Sequence, residues 1–253
     1  MCIRDRINIE QDDKVKAFIC TKDLKDEDYI NNHFVIMATK KGQVKKTSLE
    51  QYSRPRVNGI NAITIKEEDE LLEAKLTNGN SQVMLALKSG KAIKFEEVKT
   101  RPMGRNASGV RGIRLQHDND EVIGMVSVND MESNILVVSS NGYGKRSKLG
   151  DYRLTNRGGK GVKTISITEK TGDLVAIKNV DDSNGLMIIN KSGIAIRMAV
   201  ENLRVMGRAT QGVKLINIKE GDSIAAVAKV VHEESQDEEV GQIDEIEPIN
   251  QNE

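Results

Sequence analysis

Tryptophan is absent and only four Tyr and three Phe are present, so a core must be built from Ile, Val, Leu and Met rather than from large rings. Proline occurs three times. The two cysteines, Cys2 and Cys20, supply neither a disulfide framework nor a zinc-ligand spacing, which fits a reducing cytoplasm. His33, His117 and His232 lie too far apart in sequence to form a metal-binding motif. No apolar run approaches the roughly 18 residues of a membrane span, and no secretory signal heads the chain. Disulfide scaffold, zinc protein and membrane protein are therefore disfavoured. What the chain does have is 253 residues, 38% of them hydrophobic, with 21 Gly and 30% charged residues. That length suffices for one large domain or two small ones, and an all-β ring or barrel of this size can be a single unit.

Charge balances in total but not in place. Nine acids and no Lys or Arg fall between His232 and Glu253, leaving 38 bases against 29 acids in residues 1–231, a net of +9. The polar, aperiodic stretch 232–253 reads as a disordered acidic tail, either merely solvating or competing with an anionic ligand for the basic body.

Internal repetition is the main signal. Four segments share a strand–Gly–basic strand order: Phe34-VIMATKKGQVKK-Thr47, Val83-MLALKSGKAIK-Phe95, Ile135-LVVSSNGYGKR-Ser147 and Leu186-MIINKSGIAIR-Met198. Their turn glycines, Gly42, Gly90, Gly142 and Gly193, are 48, 52 and 51 residues apart. A second set, Gly59, Gly109, Gly161 and Gly212, is 50, 52 and 51 apart. Two landmarks keeping one period specify a repeat. Each unit continues through Ile63-Thr-Ile65, Ile113-Arg-Leu115, Ile165-Ser-Ile167 or Ile216-Asn-Ile218 into an acidic turn and another apolar strand. Short alternating segments punctuated by Gly, Asn and Asp predict strands and hairpins. A unit of about 50 residues with four short strands is a propeller-type blade. The expected organisation is all-β: residues 1–6 unassigned, a partial blade at 7–23, blades at about 24–75, 76–125, 126–178 and 179–231, and the tail.

The basic strand and second-glycine loop of each unit concentrate positive charge. Windows 45–62, 94–112, 145–163 and 197–214 hold 20 bases against 5 acids. Charge in phase with a repeat falls at one height on every blade, which predicts a basic belt suited to a phosphate backbone. The candidate contacts are Lys45, Lys46, Arg54 and Arg56; Lys94, Arg101, Arg105 and Arg111; Lys145, Arg146, Arg153, Arg157, Lys160 and Lys163; and Arg197, Arg204, Arg208 and Lys214. Gly158, Gly159 and Gly161 join them, because absent side chains let backbone N–H groups approach phosphate. With few aromatics for stacking and no helix for the major groove, duplex bent around a curve is expected, without base readout. A solvated charged rim is the alternative. The Arg157–Gly161 loop lacks the Gly-Lys-Ser/Thr ending of a nucleotide P-loop, and no nucleophile, acid–base or metal constellation suggests catalysis.

Across residues 7–231 these units resemble the C-terminal β-pinwheel family of the DNA gyrase A protein. The resemblance is most telling in Phe34-VIMATKKGQVKKT, Ala92-IKFEEVKTRPMGRNASGVRGIR-Leu115, Asn141-GYGK-Arg146 and Val205-MGRATQGVKL-Ile216. It implies a six-bladed pinwheel that wraps duplex DNA to support ATP-dependent negative supercoiling. It implies partners in the gyrase B protein and a second gyrase A protein, within an A2B2 holoenzyme. The family's Gln-Arg-Arg-Gly-Gly-Lys-Gly box belongs to the first blade. Thr155-Asn-Arg-Gly-Gly-Lys-Gly161 keeps its last five residues on what register makes the fifth, so DNA contact carries over to Arg157 and Lys160 but the box's wrapping role does not. The catalytic tyrosine, metal site and ATP site of such an enzyme lie outside this chain, so ATP and Mg²⁺ are implied only for the holoenzyme. The corresponding C-terminal domain of topoisomerase IV is the alternative within the family, and a propeller that docks proteins is the alternative outside it.

Overall fold

The computed structural model describes residues 14–219 and 221–231. The expected acidic tail 232–253 and the unassigned residues 1–6 lie outside the described residues. Of the expected partial blade, residues 14–23 carry no strand. A one-and-a-half-turn helix α1 (Glu27–Asn32) follows, started by the Asp26 carboxylate accepting from the Tyr29 N–H at 3.1 Å.

The rest is strand and turn apart from three single-turn 3-10 helices, Leu49–Tyr52, Glu97–Lys99 and Leu149–Asp151. The first unit supplies β1 (Phe34–Thr39), β2 (Gln43–Ser48) and β3 (Leu71–Thr77). The second supplies β4 (Gln82–Leu87), β5 (Lys91–Glu96), the two-residue β6 (Val110–Arg111) and β7 (Val122–Val128). The third supplies β8 (Asn134–Ser139), β9 (Tyr143–Lys148), β10 (Val162–Lys163) and β11 (Leu174–Val180). The fourth supplies β12 (Asn184–Asn190), β13 (Ala195–Ala199), β14 (Val213–Lys214) and β15 (Ile224–Val231). The turns between units fall at 78–81, 129–133 and 181–183, a few residues beyond the breaks expected from the sequence.

The repeat and the all-β class are as the sequence predicts, but the fourth strand of a sheet is not a unit's own. The sheets run β3-β1-β2-β6, β7-β4-β5-β10, β11-β8-β9-β14 and β15-β12-β13. Each short strand is therefore lent to the preceding unit: Arg111 and Val110 pair with Gln43 and Val44, Lys163 and Val162 with Lys91 and Ala92, and Lys214 and Val213 with Tyr143 and Gly144. The Ile-x-Ile segments that follow, expected as strands, are irregular. Their first isoleucines, Ile113, Ile165 and Ile216, are buried instead. Each enters the cluster that joins its unit to the one before. Burial between units, rather than a ladder, fixes these segments.

Period-two alternation divides each central strand between two cores. Val83, Leu85 and Leu87 face the first unit with Ile36 and Val44, whereas Met84 and Ala86 face the third with Ile135 and Val137. Leu136 and Val138 then face Leu186 and Ile188 of the fourth. A single sheet could not bury both faces, so the units stabilise one another. The closing strands β3, β7, β11 and β15 pack one on the next, linked by N–H donation from Val122 to the Lys40 carbonyl, Leu174 to Lys88 and Ile224 to Ser140, at 2.8–3.0 Å. Leu72, Val122, Leu174 and Ile224, at the starts of these strands, help line a cavity of about 410 Å³ shared by all four units, which marks the axis. The lent strands lie at the opposite edge of each sheet, on the perimeter.

Candidate nucleic-acid interface

The acidic turns and the basic windows separate along each sheet. Glu70, Glu121 and Asp173 sit at the axial end, where Lys40 lies 3.4 Å from Glu70 and 3.9 Å from Glu121, and Lys88 lies 3.6 Å from Asp173. These pairs are open to solvent and contribute little to stability.

Five of the cations expected on the belt are buried. Lys45, Lys46, Lys94, Lys145 and Arg146 lie in β2, β5 and β9 at 0–7% exposure, under the loop lent by the following unit. Lys45 Nζ donates to the carbonyls of Ala62 and, across the seam, Arg105. Lys94 Nζ donates to the Leu149 carbonyl at 3.0 Å, and Lys145 Nζ to the Gly207 carbonyl at 2.5 Å. Lys46 pairs with the buried Glu97 at 3.2 Å and lies 4.2 Å from the centroid of the Phe34 ring. Arg146 is held by the Leu203 carbonyl and the Asp182 carboxylate. Burial, reinforced by the Arg105 charge, pulls the Lys45 ammonium down to about 8. Burial also brings Lys145 to about 8, opposed by Asp151 and helped by Arg208, and it lowers Lys94. Charge in a β-strand reads as surface from sequence alone. Here the lent loops cover it, and ammonium–carbonyl bonds offset its desolvation. These side chains brace the perimeter loops rather than reach past them.

The glycines of the Arg157–Gly161 loop are likewise committed to the seam. Gly158 has φ +80° and donates its N–H to the Gly112 carbonyl at 2.6 Å. Gly161 has φ +72°, and a Cβ there would stand 2.7 Å from the Ala92 carbonyl oxygen. Close approach of protein backbone, not of phosphate, requires a glycine at 161. Gly159, half-buried at an ordinary φ, accepts from the Arg114 N–H at 2.9 Å.

The remaining candidates form ordered sets. Arg101, Arg153 and Arg204 are exposed. The residue after each makes a parallel bridge to Lys46, Lys94 or Arg146 of the preceding unit, which fixes the three arginines at one place on successive seams. Arg111, Lys163 and Lys214 are exposed at the second position of each lent strand, in matching register. Arg105, Arg157 and Arg208 are half-buried between these rows. Arg157 Nε donates to the Lys99 carbonyl at 3.0 Å and Nη1 to the Arg111 carbonyl at 3.2 Å. Arg208 repeats this with Asp151 at 3.1 Å and Lys163 at 2.8 Å. Each of these two guanidiniums is aimed by the preceding unit and keeps further N–H donors for an anion. Lys160 is exposed, as are Arg54 and Arg56 in the shorter first loop and Arg197 on β13. Lys99, Lys148 and Arg114 are exposed beside the same seams. The first two lie within the basic windows without standing out there, because only the fold turns them outward. Such an arrangement can hold a polyanion along a curve. Among the described residues, no cluster of three or more His, Cys, Asp or Glu could ligate a metal, and no helix is long and apolar enough to cross a membrane.

Comparison with known proteins follows the same units. The model of the DNA gyrase C-terminal domain, described as a β-propeller, matches residues 33–78, 83–129, 133–181 and 186–230. The DNA gyrase A protein of Staphylococcus epidermidis is 41% identical over 233 residues, covering 92% of this chain and 26% of that protein. Its counterpart in Staphylococcus aureus (strain MRSA252) is 42% identical over 237 residues, with the same coverage. The chain thus spans about a quarter of the length of these relatives. Among solved structures, a C-terminal domain of DNA topoisomerase IV superposes with a TM-score of 0.83 at 23% identity, covering 91% of this chain and 70% of the other. A DNA gyrase A C-terminal domain gives 0.79 at 22%, covering 91% and 75%. The two superpositions establish the shared fold. With the family match spanning four consecutive units and relatives above 40% identity, the chain belongs to the DNA gyrase C-terminal domain family of β-propellers.

Proposed function

We propose that this chain holds duplex DNA along its perimeter, without reading bases, as the C-terminal part of a gyrase A protein in the cytoplasm. The observation that carries this reading is the repetition of exposed cations at one register on successive seams: Arg101, Arg153 and Arg204 in one row, and Arg111, Lys163 and Lys214 in the other. Phosphates along a bent duplex also recur at regular intervals, so a row of cations on a curved edge matches them without reference to sequence. Bending follows when contact with several seams at once offsets the elastic cost of a few kcal/mol. In the holoenzyme, with gyrase B and a second gyrase A, holding the duplex on a fixed edge presents a neighbouring segment for strand passage in one handed sense. ATP and Mg²⁺ act elsewhere in that assembly, and this chain's part is positional.

A salt titration tests the reading. Binding to a mixed-sequence duplex should weaken steeply between about 50 and 200 mM salt, with a slope reporting several phosphate contacts, and should vary little between sequences. Affinity indifferent to salt would overturn it and point instead to an apolar protein-docking surface.

A further inference from the structure

A second repeated feature lies beside the arginine row and is not explained by phosphate contact. Each of Arg54, Arg101, Arg153 and Arg204 is followed by an apolar residue: Pro55, Pro102, Leu154 and Val205. All four are exposed, Leu154 at 46% and Val205 at 41%. A single exposed apolar side chain needs no explanation, but one at the same site on three successive seams does. Three of them are rigidly mounted. Pro102, Leu154 and Val205 form parallel bridges to Lys46, Lys94 and Arg146. The following N–H groups of Met103, Thr155 and Met206 donate to those same three carbonyls at 2.8–2.9 Å. The buried cations of each unit thereby sit on the strand that holds the next unit's apolar residue outward.

A solvated rim would carry polar residues here. A phosphate clamp would need only the arginine. An arginine and a short apolar side chain side by side on a convex, cationic edge match the inward-facing minor groove of a bent duplex. There the narrowed groove attracts guanidinium, and its deoxyribose walls offer apolar contact to a short side chain beside it. We propose that the pairs Arg101–Pro102, Arg153–Leu154 and Arg204–Val205 enter successive minor grooves. The cation rows would then supply affinity, and the apolar residues would set where the duplex bends. This inference rests on the proposed function and goes beyond it in naming the groove and the residues that enter it.

The test uses the whole chain and a variant carrying Pro102→Ser, Leu154→Ser and Val205→Ser, which keeps every cation. Thermal melting should be nearly unchanged, since the three side chains are exposed. On a duplex of about 40 base pairs labelled at both ends, the variant should bind about tenfold more weakly and bring the ends less close, with the salt slope of the parent. Netropsin bound in the minor groove beforehand should weaken binding by the parent more than by the variant. A variant that binds and bends like the parent overturns this inference alone. Weaker binding with a shallower salt slope also overturns it, because the cations would then have been disturbed. A parent chain with no salt-dependent duplex binding overturns the proposed function, and this inference with it.

Discussion

The three seams between units and the two edges that no seam covers are built from equivalent residues in different surroundings. At the seams, Gly42, Gly90 and Gly142 turn beneath the next unit, where a Cβ would stand 2.9, 3.0 and 2.6 Å from the carbonyl oxygens of Ile113, Ile165 and Ile216. The equivalent Gly193 has nothing within 4 Å. The lent loops tell the same story: a Cβ at Gly109, Gly161 or Gly212 would stand 2.6–2.7 Å from a host carbonyl oxygen, whereas one at Gly59 would meet nothing within 4 Å. Val57 beside it is fully exposed. On the host side, the four central residues of β2, β5 and β9 are buried, but β13, which borders no lent strand, has no buried residue: Ala195 and Arg197 are exposed and the rest half-buried. Arg197 lies exposed on β13 where Lys46, Lys94 and Arg146 are buried on theirs. Sequence sets the residue at such a position; the neighbour sets whether its charge is a brace or a surface.

The sharpest way to break this comparison is to make one substitution in both places. Gly212→Ala adds a Cβ 2.6 Å from the Gly144 carbonyl at φ +84°, and should lower unfolding free energy by about 3 kcal/mol through combined strain and collision. Gly59→Ala carries the same kind of φ, +76°, in open space and should cost only about 1 kcal/mol. Urea midpoints measure both, and equal losses would mean that the close approach contributes nothing. A smaller effect is expected in binding. Arg153→Ala removes a cation pinned to a seam and should weaken duplex binding about fivefold, whereas Arg54→Ala, on the unhosted first loop, should weaken it about twofold. Fluorescence anisotropy at fixed salt compares the two, and an equal loss would remove preorganisation from the account.

The braces should also leave a pH signature. Lys45 and Lys145 fall to about 8 when folded, from an ordinary 10.5. Between those values the unfolded chain holds protons that the folded chain has released, so stability should rise with pH from about 8. The neutral amines still donate to their carbonyls. Above the ordinary 10 of a phenol the trend should reverse, because burial raises Tyr52 and Tyr152 and the unfolded chain then ionises first. Chemical denaturation across pH 7–11 reads both limbs. In Lys145→Met, a rise as large as the parent's would assign the effect to other groups.

How much of this was legible beforehand varies by residue. The two glycine periods and the alternation in Val83–Leu87 or Ile135–Ser139 reveal the repeat and its central strands, because local spacing records which side chains face a core. The exposed rows headed by Arg101 and Arg111 were also readable, since charge in phase with a repeat must land in phase in space. The burial of Lys45 and Lys145 was not readable, and neither was the seam role of Gly158 and Gly161. Each depends on a loop some 60 residues away in the chain folding over it: Lys45 meets Arg105, and Lys145 meets Gly207. Nor was it visible that Val110, Val162 and Val213 pair outside their own units.

The amino-acid order by itself determined the all-β class, the four-fold repetition and the gathering of basic residues into one part of each unit, because these follow from periodicity and composition within about 50 residues. The tertiary structure alone decided which of those basic residues face water and which are enclosed. A side chain's exposure is set by whatever packs against it, and here that neighbour arrives from the next unit.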